Sequence, residues 1–274
     1  DVYKRQGQRV KIFFYGVMTD AEIMINGKPA GEMHQGGFYR FNYDITELLN
    51  LGKKNQLEVK VAKESANRSI NAAERKADWW LFGGIYRPVW LEVLPQVHME
   101  HFVLNADHHG KLQVAVDMAG DAKGHEIIVS VRSLKDGKTV YTSNGQTIIT
   151  HPINNSDKEQ MISGEWASII PWSTENPNLY VAKLELKNPE GKIVQTRETR
   201  TGFRTVEFFP QDGVYLNGTK LVVKGINRHS FSVDGGRTTS AALSRMDALL
   251  IKEMNMNAVR SHYPPDEHFL DMCD

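Results

Sequence analysis

Short runs of apolar and polar positions dominate the first third of the chain. Val10-Lys11-Ile12-Phe13-Phe14-Tyr15 is nearly all apolar and reads as a buried strand. Ala21 to Ile25 alternates, and Asn26-Gly27 follows before a second extended run. Both residues of a tight hairpin turn need positive φ, which makes Asn-Gly the strongest short signal for one. Leu57, Val59 and Val61 alternate with Glu58 and Lys60, as a half-buried strand does. Val89-Trp90-Leu91-Glu92-Val93-Leu94 forms the last strand before Pro95. The pattern predicts an antiparallel β-sandwich.

From Gln96 to about Arg200 the chain stays extended but changes texture. Strands are expected at 101–105, 112–118, 126–134, 140–142, 180–187 and 193–198. Asp136-Gly137 and Pro189-Glu190-Gly191 mark turns. Such a series of short strands fits an immunoglobulin-like sandwich. Without a Cys…Trp…Cys pattern it is not of the antibody type.

After Thr201 the period changes again. A hairpin on Asp212-Gly213 and Asn217-Gly218 leads into an apolar run at 220–225, expected as one strand. A helix is predicted from about Ser240 to Asn255, with Thr238, Thr239 or Ser240 as N-cap. Leu243, Met246, Leu250 and Met254 are spaced as its apolar face. Asn257 to His262 reads as a strand, and Pro264-Pro265-Asp266 opens a helix over 267–273. Strand, helix, strand, helix is the opening of a parallel α/β unit. Three domains are therefore expected: 1–95, 96–203 and 204–274. Asp1 to Gln6 fit no element. The first sandwich is expected to need strands before its start, and the last unit strands after its end.

Composition narrows the function classes. The 274 residues carry 33 Lys plus Arg against 33 Asp plus Glu, which gives no electrostatic footprint for nucleic acid or an anionic membrane. No apolar window approaches the roughly 20 residues of a membrane-spanning helix. The single cysteine, Cys273, permits neither an intrachain disulfide nor a cysteine-based zinc site. Cytoplasm and periplasm both remain open. His98 with His101, and His108-His109, have no third ligand at metal spacing. Gly36-Gly37 and Gly83-Gly84 precede no helix as a phosphate loop would, and read as places where backbone bends or approaches closely.

Several stretches carry a resemblance. Asp78-Trp79-Trp80-Leu81-Phe82-Gly83-Gly84-Ile85-Tyr86-Arg87-Pro88-Val89 ends the first sandwich, and Trp172-Ser173 with Pro177-Asn178-Leu179-Tyr180 lies in the second. Gly225-Ile226-Asn227-Arg228-His229 and Asn257-Ala258-Val259-Arg260-Ser261-His262-Tyr263-Pro264 follow. In this order they resemble glycoside hydrolase family 2, the β-galactosidase, β-glucuronidase and β-mannosidase group. The resemblance implies a galactose-binding-like jelly-roll, an immunoglobulin-like sandwich and the first two βα units of a TIM (β/α)₈ barrel. One departure stands out. The family has two residues between that Arg and His, and here only Ser261 separates Arg260 from His262. One residue reverses the facing of a strand side chain, so either Arg260 or His262 is expected to sit differently from the family norm.

The family hydrolyses a terminal β-linked sugar with retention, using two carboxyl groups about 5–5.5 Å apart. The resemblance puts those glutamates on later barrel strands, beyond Asp274, so no catalytic residue is expected in this chain. Glu253, Asp266 and Glu267 do not replace them. What it does imply here is substrate contact. His229 and His262 would hydrogen-bond sugar hydroxyls at the C-terminal ends of the first two barrel strands. Arg260 would sit beside them, and Asp78 would send a carboxylate to the barrel mouth. Trp79 or Trp80 would offer a stacking face, while Trp166 and Trp172 read as core or interface residues. The expected parent is a β-galactosidase first, a β-glucuronidase or β-mannosidase next, with carbohydrate as substrate. The resemblance implies a family that is commonly homo-oligomeric, with the parent's own state left open, and that often holds Mg²⁺ or Na⁺ near the active site, with the main ligands outside this chain. The 274-residue chain alone is expected to be inactive. A non-catalytic carbohydrate-binding sandwich protein and a tandem-sandwich adhesion protein are the rivals. Both leave the motifs at Gly225–His229 and Asn257–Pro264 without a use.

Overall fold

A computed structural model describes residues 7–76, 81–154 and 157–274. They form two compact units, one of residues up to Leu94 together with Gly225–Cys273, the other of Pro95–Lys224 with Asp274. The protein is mainly β, with a β-sandwich, an immunoglobulin-like sandwich and the start of a TIM barrel.

In the first unit, β1 (Arg9–Phe14) pairs antiparallel with Phe41–Asp44 on one side and Val89–Leu94 on the other. A second sheet centres on β2 (Asp20–Ile25), paired with Lys28–Pro29, His34–Gln35 and Leu57–Ala62. Val10, Ile12 and Phe14 alternate inward from β1 and meet Ala21, Ile23 and Ile25 from β2, with Ile45 closing one end. The Asn26-Gly27 turn forms as expected, with φ of 52° and 75°. Leu91 faces the same side as its register partner Ile12 yet is 51% exposed.

The second unit has a three-stranded sheet, β3 (His98–Ala106), β4 (Lys111–Ala119) and Glu159–Glu165. The facing sheet has four strands in the order Ile148–Pro152, Glu126–Ser133, Tyr180–Lys187, Ile193–Thr201. Leu112, Val114, Val116, Ile127, Val129, Leu184 and Leu186 fill the space between, with Trp166 and Phe203 at 2% and 0% exposure. Two of these strands, Ile148–Pro152 and Glu159–Glu165, were not anticipated. The expected strand at 140–142 is instead a loop holding the isolated bridge Thr142↔Trp166.

The run at 220–225 corrects in the same way. It is two strands of different sheets. Thr219–Leu221 ends a hairpin sheet with Val206–Phe209 and Gly213–Leu216, and β5 (Gly225–Arg228) starts a parallel pair with β6 (Ala258–Ser261). Val222 and Val223 between them are 70% and 54% exposed, so their apolar character reflects no buried strand.

Two helices flank the β5·β6 pair in the first unit: α1 (Ala241–Glu253) and α2 (Glu267–Cys273). Ser240 caps α1 by accepting from the Leu243 amide at 3.1 Å. Its packed face differs from the expected one. Ser244 and Ile251 are buried, whereas Met246, Leu250 and Met254 are 52%, 50% and 52% exposed. The stripe is turned by one residue because polar neighbours need partners on that side. Asp247 takes Arg228 at 2.8 Å, and Ser244 takes His268 at 2.8 Å.

Candidate active site

The parallel register of β5 and β6 positions the site. Asn227 lies opposite Arg260 and Arg228 opposite Ser261. The His262 amide then donates to the Arg228 carbonyl at 3.0 Å, which carries the pairing one step past the strand. Side chains alternate across a strand, so Asn227 and His229 share a face with Arg260 and His262. Arg228 points the other way. It is 7% exposed, its Nε is 2.8 Å from Asp247 Oδ2, and its guanidinium carbon lies 3.9 Å from the Phe269 ring centre. Arg228 therefore faces the helices, and Asn227, His229, Arg260 and His262 face away from them, the side that is interior in a TIM barrel.

His229 and His262 come together on that side. Their rings stack at 4.3 Å between centroids with planes 24° apart. Both side chains are exposed, as is Arg260. With one residue between them, Arg260 and His262 occupy the same face, and the pairing His262 makes with Arg228 keeps its ring beside His229. Asp78, Trp79 and Trp80 lie outside the described residues.

A second set of residues reaches the histidine pair through Tyr263, and sequence reasoning gave its members no part in the site. Tyr263 meets His262 at 4.6 Å and His229 edge-on at 6.2 Å. The Tyr263 ring stacks on Phe38 at 4.0 Å and 3°. Phe38 follows the Gly36-Gly37 pair in the sandwich and is 6% exposed. Arg237, also 6% exposed, sets its guanidinium 4.6 Å from the Tyr263 ring centre and 5.3 Å from that of Phe38. Arg75 is 8% exposed, and its terminal nitrogen donates to the Phe82 carbonyl at 2.6 Å. Burial, reinforced by the nearby Arg237 charge, holds its pKa below the usual guanidinium value despite the opposing pull of Glu74.

The glycines explain how these loops approach so closely. Gly236 has φ of 58°, and a Cβ there would meet the Phe82 ring at 2.7 Å. Gly37 is held from both sides. Its amide donates to Glu74 at 2.7 Å, and its carbonyl accepts from the Tyr86 hydroxyl at 2.8 Å. Burial of that hydroxyl pushes the Tyr86 pKa up to about 12. Beside it, Arg87 makes a buried ion pair with Asp266 at 3.0 Å, with side chains 8% and 11% exposed, and donates to the Pro264 carbonyl at 2.6 Å. Asp266 also accepts from Thr239.

The excluded histidines have ordinary partners. His98 bonds the Pro95 carbonyl and Glu100, and His108 bonds Thr205. Among the described residues no three His, Cys, Asp or Glu side chains converge as metal ligands.

Models of three parts of one family tile the chain: the sugar binding domain of glycosyl hydrolases family 2 over residues 2–95, a further family 2 region over 97–204, and the family 2 TIM barrel domain over 210–274. The chain belongs to glycoside hydrolase family 2. It is 32% identical over 275 residues to a β-galactosidase of Thermoanaerobacter pseudethanolicus, a match over 98% of this chain and 36% of that protein. A β-galactosidase of Priestia megaterium is 32% identical over 283 residues, covering 97% of this chain and 26% of that protein. An FMN-binding β-glucuronidase from Facaelibacterium prausnitzii L2-6 superposes with a TM-score of 0.82 at 25% identity, over 97% of this chain and 41% of that one. Bacteroides uniformis β-glucuronidase does so at 0.79 and 27%, over 99% and 33%. The chain thus spans well under half the length of these relatives.

Proposed function

We propose that this chain supplies the sugar-side scaffolding of a retaining, exo-acting β-glycosidase whose two catalytic carboxylates come from later barrel strands. The stacked His229–His262 pair carries the reading. It lies at the ends of two parallel strands, on the face turned away from the helices. Active sites of TIM barrels are built at that end of the strands.

In such an enzyme one carboxyl group protonates the leaving oxygen while the other attacks the anomeric carbon, and water then releases the sugar. The barrier falls only through contacts that strengthen in the oxocarbenium-like transition state. Imidazole nitrogens on sugar hydroxyls meet that requirement, because each ring offers one donor and one acceptor in its neutral form. Arg260 shares their face and would order a hydroxyl or a neighbouring carboxylate. Asp78 would accept two sugar hydroxyls at the same mouth. β-Galactoside is the favoured substrate, supported by the two β-galactosidase relatives. β-Glucuronide is second, supported by the solved β-glucuronidases.

The reading is tested with the coding sequence continued through the rest of the barrel. The longer enzyme should cleave nitrophenyl β-galactoside with retention, and His229→Ala should lower kcat/KM by roughly 100-fold, about 2.7 kcal/mol. The 274-residue chain should turn over none of the nitrophenyl β-glycosides. Turnover by that chain, or an unchanged His229→Ala enzyme, refutes it. Turnover of the glucuronide alone replaces the favoured substrate by the second.

A further inference from the structure

The Phe38–Tyr263 stack joins two parts of the first unit that are far apart in sequence. Phe38 belongs to the β-sandwich, and Tyr263 directly follows His262 at the end of β6. Their planes lie 3° apart at 4.0 Å, the tightest parallel stack in this neighbourhood. Arg237 comes from a third segment, the loop between β5 and α1, and presents its guanidinium to both rings. Phe38 and Arg237 are each 6% exposed, so neither ring nor cation has room to reorient.

Each end of this stack is anchored. On the sandwich side, Gly37 is fixed by the Glu74 carboxylate and the Tyr86 hydroxyl, and an added Cβ there would meet the Met18 side chain at 3.0 Å. On the barrel side, Tyr263 contacts both imidazoles, at 4.6 Å and 6.2 Å. The contacts run without a gap from the Gly37–Phe38 segment of the sandwich to His262 and His229.

We propose that Phe38, Arg237 and Tyr263 form a positioning clamp through which the β-sandwich sets the placement of the His229–His262 pair. Arg237 is the positioning residue. Its planar cation can lie against both rings at once, whereas the ammonium of a lysine is a compact point charge that cannot. The sandwich then acts on the barrel strand ends without itself touching the sugar. The clamp's effect on catalysis rests on the function proposed above. Its geometry does not, and the test separates the two.

The first measurement uses the 274-residue chain and no substrate. Imidazole Cε1–H signals are recorded by ¹H–¹³C NMR. Arg237→Lys and Phe38→Leu should displace the His229 and His262 signals while those of His98 and His151 in the other unit hold. Tyr263→Phe keeps the ring and should leave all four near their wild-type positions, as should Val233→Ala, a change at a 93% exposed site on the same loop. Unmoved His229 and His262 signals in Arg237→Lys and Phe38→Leu overturn the clamp. So does loss of the whole first unit's fold in both, which would make the trio a determinant of folding.

The second measurement uses the longer enzyme. Misplacing a positioned group by about an ångström costs on the order of 100-fold. Arg237→Lys should therefore lower kcat by roughly tenfold to 100-fold with KM changed much less. An enzyme with moved histidine signals but wild-type kcat overturns the clamp's catalytic role. A wild-type enzyme inactive on every β-glycoside refutes the proposed function, while the NMR result still decides the clamp.

Discussion

Gln195 offers a change whose cost follows from named atoms. It lies on the strand Ile193–Thr201, is 8% exposed, and reaches the backbone of Met99 in the opposite sheet. Its side-chain oxygen accepts from the Met99 amide at 2.6 Å, and its nitrogen donates to the Met99 carbonyl at 3.2 Å. Met99 needs this help because the β3–β4 register slips between Met99 and His101. Gln195→Met fills similar space but leaves a buried amide and a buried carbonyl without partners. Each such group costs about 1–3 kcal/mol, so the variant should lose roughly 2–6 kcal/mol.

Gln195→Glu sharpens the argument with pH. A protonated carboxylic acid can both donate to the Met99 carbonyl and accept from its amide, as the amide side chain does. An ionised one can only accept, and its charge is buried. Burial raises the folded pKa above the unfolded value of about 4.3. The stability contributed by the protonated form is then fully present below that unfolded value and is lost as pH rises through the folded pKa. The variant should approach wild type near pH 4 and fall well below it at pH 7. Urea unfolding followed by the fluorescence of Trp166, buried at 2% in the same core, reads both variants. A Gln195→Met loss under about 0.5 kcal/mol, or a Gln195→Glu deficit that is the same at both pH values, would refute the reasoning.

Three further outcomes are expected. Arg87→Ala should destabilise the first unit by roughly 3 kcal/mol, because it strands a buried Asp266 carboxylate, while the double change Arg87→Ala with Asp266→Ala should cost less than the sum; a strictly additive double-mutant cycle in urea unfolding would sink this. Tyr86 should titrate near pH 12 in ultraviolet difference spectra. Its raised pKa means that its contribution is complete below the unfolded value of about 10 and disappears as pH rises through about 12, so Tyr86→Phe should flatten the alkaline loss of stability over that window. Hydrogen exchange across α1 should be faster in the 274-residue chain than across β4, given the exposed Met246, Leu249 and Leu250 on that helix; protection equal to that of β4 would contradict it.

The strands with strict alternation were legible from sequence because their burial follows hydropathy. Lys111–Ala119 has Leu112, Val114, Val116 and Met118 inward and polar or small residues outward. Glu159–Glu165 hid because the polarity is inverted at one position. Gln160 is 6% exposed, bonded to the Asp157 carbonyl and His151, while its neighbour Met161 is 58% exposed. A buried amide with two partners is compatible with a core, but no periodicity count can see those partners. The same reason misdirected the face of α1, where Ser244 and Asp247 turn inward to satisfy His268 and Arg228. Hydropathy reads what a side chain prefers in water, and these positions are set by what stands opposite.

The candidate site divides along a similar line. His229 and His262 were legible because each belongs to a local motif, and the parallel register then brings them into contact. Phe38 and Arg237 carry no motif of their own, and only the fold makes them neighbours of Tyr263. The one available trace was a pair of Gly-Gly steps, Gly36-Gly37 before Phe38 and Gly235-Gly236 before Arg237. At Gly236 the missing Cβ is what admits the Phe82 ring, and at Gly37 it is what leaves room for Met18 while Glu74 and Tyr86 grip the backbone. Close backbone approach on both loops is the condition for burying an arginine against two rings. Two glycine pairs, each just ahead of a bulky residue, are thus the sequence signature of loops built to interlock, and the interlocking brings sandwich residues to the histidine pair.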